Sequence, residues 1–143
     1  VLPFTSWKNP DPFVIVTGAS LGATHAATFA LKYPDSVGRL VGMSGMYDIR
    51  RMTGGYSDHN TYQVNPMAFM ANEHDPRRLA AFQRQDLICM IGRDDPMYQN
   101  NVDFSGLLWS KGIGNALRLW DGSAHDWPYW EKMVRIYLRG HDG

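Results

Sequence analysis

The sequence has a single cysteine, no excess of charge of either sign and no long apolar run. Each absence closes off a class of function. Cys89, inside LICMI, has no partner for an internal disulfide, and a thiol in an apolar run reads as a buried side chain rather than a reactive one. One cysteine is compatible with a reducing, cytoplasmic compartment. Lys plus Arg equals Asp plus Glu at 14 each, so the formal net charge is zero. A nucleic-acid or anionic membrane partner calls for a basic excess that is not there. Charges of both signs are interspersed, and no segment approaches the roughly 18 apolar residues of a membrane span. The opening VLPFTSWKNPDP has no initiator Met, basic n-region or apolar core. It does not read as a signal peptide and looks like a chain entered midway.

What is present is enough for one domain: 143 residues, with 13% aromatic residues including five Trp. Four short apolar runs ending in glycine read as strands covered on both faces, at 13–18, 39–45, 86–92 and 116–122. Helical patterns lie between them. The first spans 21–33, with Ala23, Ala26, Ala27, Ala30 and Leu31 on one stripe and a stop at Tyr33-Pro34. Others are predicted over 97–111 and 128–139, the last with Trp130, Met133, Val134, Tyr137 and Leu138 at helical spacing. This alternation predicts right-handed βαβ units and an α/β fold with a parallel sheet of about four strands. Residues 46–85 contain no convincing strand and two short helices with Asn-Pro and Asp-Pro starts, which predicts a small helical insertion.

The chemistry concentrates at three joints. Gly18-Ala19-Ser20-Leu21-Gly22 fits G-x-S-x-G with a strand before it and a helix after it, the context that a nucleophile elbow requires. There the chain reverses sharply, glycine-sized groups relieve the crowding on either side, and the backbone N–H of Leu21 faces a developing oxyanion. Taken alone, the motif also suits a tight strand-to-helix turn in which Ser20 caps the helix. A dinucleotide loop fits less well, because the third glycine and the acidic ribose partner are missing. The third strand ends in Gly92-Arg93-Asp94-Asp95-Pro96 and the fourth in Gly122-Ser123-Ala124-His125-Asp126-Trp127. A serine hydroxyl needs a base, and the base needs an orienting acid. Ser, Asp and His therefore follow in order, each in a loop after a strand. Individually, the aspartates could cap a helix and His125 could be a loop residue.

Through these motifs the sequence resembles the α/β-hydrolase superfamily, in its putative-esterase (esterase D-like) branch, from GASLGA through GRDDP and AHDWPYW. The resemblance implies a single, truncated α/β-hydrolase domain over 1–143, the C-terminal half of that fold. By it, Ser20 is the nucleophile, His125 the general base, Asp95 the orienting acid and Leu21 N–H an oxyanion donor. The resemblance prefers Asp95 to Asp94, because it stands third after the glycine as in the family's G-x-x-D pattern. The resemblance further implies a carboxylesterase acting through an acyl-enzyme on a small or moderately apolar small-molecule ester. No metal or organic cofactor, no nucleic acid and no membrane partner is implied. The family normally places about four strands and a second oxyanion loop before the nucleophile strand. Their absence leaves 13–18 as an open edge, which predicts a homo-oligomer paired along it, or an N-terminal half supplied by a longer chain. The rival expectation is a non-catalytic, oligomerising binding module derived from a hydrolase.

Other residues stay open. Trp127, Tyr129 and Trp130 either wall the site or pack the last helix. Met46, Tyr47, Met52, Tyr56, Tyr62, Met67, Phe69 and Met70 either line a pocket or form the insertion's core. His25 reads as structural. His59, His74 and His141 lack ligand spacing, and Glu73-His74-Asp75 reads as a solvated loop.

Overall fold

The structure, a computed structural model, describes residues 12–51 and 59–141. The four apolar runs form strands β1 (Ile15–Ala19), β2 (Arg39–Met43), β3 (Asp86–Gly92) and β4 (Ala116–Trp120). They pair in chain order, all parallel, with Ala19 opposite Met43, Met43 opposite Met90 and Gly92 opposite Trp120. Both faces are covered, which is why the runs show no polar alternation. Leu40, Leu87 and Cys89 enter one core, and Val41, Met43, Ile88 and Met90 enter the other.

Helices α1 (Leu21–Lys32) and α5 (Tyr98–Ser110) cover the first face, and α6 (Trp127–Tyr137) covers the second. The small side chains of Ala23, Ala26, Ala27 and Ala30 are buried, so α1 lies close against β1 and β2. α6 begins where the Asp126 carboxylate accepts the Trp127 N–H at 2.8 Å.

Element ends differ from expectation where backbone geometry intervenes. β1 starts at Ile15, because Phe13 lies 62% exposed beside the Arg39 guanidinium. β2 stops at Met43 because Ser44 takes φ 54°, and β4 stops short of Gly122, at φ 69°. Such left-handed residues cannot continue a ladder.

The insertion carries a short 3₁₀ turn (Ile49–Arg51) and helices α2 (His59–Gln63), α3 (Pro66–Ala71) and α4 (Pro76–Gln83). α3 packs against α1 and α5. Tyr47, Met70 and Phe82 are fully buried in the first core, with Met67 and Phe69 packed on it, while Tyr62 and Phe69 also line a surface cleft beside Lys32, at the end of α1 far from Ser20. Tyr47 stacks on Phe104 at 4.4 Å, and its ring occupies the space that side chains at Gly42 and Gly45 would need. Met52 and Tyr56 lie outside the described residues, as do the side chain of His59 and the opening segment. Glu73 pairs with Arg78 and Asp75 caps α4, so the Glu73-His74-Asp75 stretch is structural at both acids. No helix among the described residues is long and apolar enough to cross a membrane.

Candidate active site

One residue, Ser20, separates β1 from α1. It takes φ 56° and ψ −122°, a conformation that costs an L-residue about 1–3 kcal/mol and survives only when its surroundings impose it. Two bonds do so: the Ser20 N–H donates to the Met43 carbonyl at 2.8 Å, and the Ala23 N–H to the Ser20 carbonyl at 3.0 Å. The side chain makes no capping bond to α1, which removes the helix-cap reading of Ser20. Glycine is needed at Gly18, where a Cβ would stand 2.2 Å from the Gly22 carbonyl oxygen. Gly22 is different, since a Cβ there would meet nothing within 4 Å. The expected crowding is therefore one-sided.

The acid comes from the turn after β3. The N–H groups of Arg93 and Asp94 donate to the Trp120 and Gly122 carbonyls at 2.8 and 2.9 Å, so the turn is tied to β4. That leaves Asp94 exposed and directs Asp95 inward, its side chain only 1% exposed. One Asp95 carboxylate oxygen accepts the Met97 N–H at 2.8 Å, and the other lies 2.8 Å from His125 Nδ1. A carboxylate only accepts, so Nδ1 donates and Nε2 presents its lone pair. Nε2 stands 3.2 Å from Ser20 Oγ. The structure thus brings Ser20, His125 and Asp95 into one hydrogen-bonded line and leaves Asp94 outside it. Leu21 is the first residue of α1, so its N–H belongs to the helix start beside Ser20.

His125 reaches this position from a loop that crosses the acid turn. A Cβ on Gly92 would stand 2.1 Å from the Ser123 carbonyl oxygen, so only glycine at the end of β3 lets the loop pass. The imidazole meets the Trp130 ring edge-on at 5.4 Å, and Trp130 meets Trp127 the same way at 5.4 Å. Trp127 is 68% exposed and, with Met43, Trp130 and Val134, walls an apolar cleft of about 240 Å³ on the α6 side. Trp130 thus both packs α6 and touches the histidine, whereas Tyr129 packs edge-on against Trp120 at 6.5 Å.

Two contributors escape sequence reasoning. Asn101, buried within α5, donates to the Gly45 and Met97 carbonyls at 2.8 and 3.0 Å, tying the segment after β2 to the acid loop. Ser44, buried at the end of β2, bonds the histidine loop. A serine ending a strand and an asparagine within a helix carry no local signal for such contacts. The remaining histidines lie elsewhere: His25 is exposed on α1, and His141 pairs with Asp86 at 2.9 Å, at the opposite end of β3. Burial pushes the Cys89 thiol up to about 11, although the neighbouring Tyr47 hydroxyl opposes this, so it stays protonated and enclosed near neutral pH.

Residues 5–136 match the family described as Putative esterase. No curated protein matches the chain. Among solved structures, a ferulic acid esterase is similar at TM-score 0.72 and 21% identity, covering 95% of this chain and 58% of its own. The fluorophosphonate-binding serine hydrolase FphF of Staphylococcus aureus is similar at TM-score 0.68 and 21% identity, over 85% of this chain and 51% of its own. An S-formylglutathione hydrolase from Agrobacterium tumefaciens follows at TM-score 0.67 and 15% identity, over 94% and 50%. At these identities the likeness is one of fold, and the chain spans about half the length of these structures. With a family match running from before the elbow to the last helix, the chain belongs to the esterase family of α/β-hydrolase type.

Proposed function

We propose that the chain is a serine carboxylesterase, with Ser20 as nucleophile, His125 as general base, Asp95 as its orienting acid and the Leu21 N–H as an oxyanion donor. The observation that carries this reading is the line of contacts Ser20 Oγ to His125 Nε2 to Asp95, at 3.2 and 2.8 Å, with Ser20 held in a left-handed backbone. Nε2 takes the Ser20 proton as Oγ attacks the ester carbonyl, and the resulting oxyanion faces the start of α1. Collapse expels the alcohol, which leaves with the proton from Nε2, and the acyl group stays on Oγ. His125 then deprotonates a water, which releases the carboxylic acid and restores the serine. The Trp130 ring edge-on to His125, with Trp127 packed on it, offers an apolar contact for a small or moderately apolar ester.

A fluorophosphonate probe tests this directly, because it labels only a serine whose proton is being removed. The expected result is one adduct per chain, mapped by mass spectrometry to Ser20. No adduct on the folded chain would move the assignment to the binding module, which keeps these residues without using them.

β1 forms one edge of the sheet among the described residues, with Ile15, Val16 and Ala19 only half-buried. Pairing of two copies along this edge is part of the same proposal, since an apolar edge strand is a template for another chain. A solution mass of two chains is expected, and a mass of one sinks the pairing.

A further inference from the structure

Ser44 directly follows β2 and is bonded to β3 and to the loop after β4. Its N–H donates to the Met90 carbonyl at 2.8 Å, which locks it to β3. Its backbone, at φ 54°, turns the hydroxyl toward the histidine loop, and the residue is 1% exposed. Oγ lies 3.2 Å from the Ala124 carbonyl and 3.1 Å from Trp130 Nε1. An indole N–H can only donate and a carbonyl can only accept, so the hydroxyl accepts from Trp130 and donates to Ala124, with no alternative orientation.

Both partners bear on His125. Ala124 directly precedes it and is itself held at φ 48°, unfavourable for an alanine. Trp130 lies edge-on to its ring at 5.4 Å. On the other side of the loop, the Gly122 carbonyl is held by the Asp94 N–H at 2.9 Å. The loop is therefore pinned from the acid turn and from Ser44.

We infer that Ser44 is a positioning residue for His125, fixing the backbone before it and the indole beside it so that Nε2 faces Ser20. This rests on the esterase reading for its effect on rate but not for its effect on the imidazole. Misplacing a reacting group by about 1 Å costs up to about 10²-fold. Ser44→Ala is expected to slow ester turnover tenfold or more, with KM little changed and the phosphonate labelling rate lowered by the same factor.

The readout independent of activity is the hydrogen-bonded imidazole proton of His125 in the proton NMR spectrum. It is expected in the parent chain and expected to broaden or disappear in folded Ser44→Ala. An unchanged imidazole signal, or labelling at the parent rate, overturns the inference. If the parent chain takes no label, the esterase reading fails while the imidazole comparison still decides the role of Ser44. If Ser44→Ala does not fold, Trp130→Phe takes its place, keeping an aromatic ring in the position while removing the indole N–H together with one ring. It is expected to weaken the same signal, and an unaltered spectrum there also overturns the inference.

Discussion

Alanine at Ser20 or at His125 is expected to reduce hydrolysis of p-nitrophenyl butyrate to the background of the free ester. The loss is as much as about 10⁶-fold for either variant, and no larger for the two together. The single variants match the double because the hydroxyl without its base, and the base without its hydroxyl, are equally idle. Thermal unfolding separates the two in another way. Among the described residues the Ser20 hydroxyl bonds only the imidazole and takes no part in capping α1, so Ser20→Ala is expected to keep its melting temperature. His125→Ala strands the buried Asp95 carboxylate with the Met97 N–H as its remaining partner, at a cost of about 1–3 kcal/mol. Equal rates in Ser20→Ala and the parent chain would refute the nucleophile.

Asp95→Asn is expected to lower kcat/KM about 10⁴-fold, through the tautomer of the histidine rather than its position. The amide can keep accepting the Met97 N–H through its oxygen, but it then turns its NH₂ toward His125 Nδ1. Nδ1 must accept, the ring proton moves to Nε2, and the nitrogen facing Ser20 can no longer take a proton. Asp94→Asn changes only an exposed side chain, and its rate is expected within about twofold of the parent. The pair discriminates between neighbouring carboxylates in one assay, and a loss at Asp94 in place of Asp95 would reverse the assignment.

The strands and the order of the three site residues were legible in the sequence because both depend on local pattern. Apolar runs of about the right length mark buried strands, and an open α/β sheet keeps its chemistry at the carboxyl ends. Asp95 was separated from Asp94 only through the resemblance, in whose G-x-x-D pattern it stands third after the glycine. The physical discriminator is the pair of backbone bonds from Arg93 and Asp94 to Trp120 and Gly122, made across to another strand. Ser44 was out of reach for the same reason: its partners lie 80 and 86 residues away. The aromatic residues of 46–85 could not be divided between core and pocket, because Tyr47 is buried by space that Gly42 and Gly45 leave, not by any periodicity of its own. The start of β1 was misplaced at Phe13 because hydrophobicity does not say where the neighbouring strand begins, and pairing starts at Ile15 opposite Arg39.

Ser20 and His125 are 105 positions apart, with β2, β3 and β4 between them in the chain and β1 ending just before Ser20. The ends of β1 and β2 are level at Ala19 and Met43, and those of β3 and β4 at Gly92 and Trp120. A slip of one residue in any pairing carries one of the three side chains about 3.3 Å along the strand direction, farther than a proton can be handed over. The contact is therefore a registration mark for the whole sheet, and the chemistry proposed at Ser20 is expected to switch off with the first strand to leave its place.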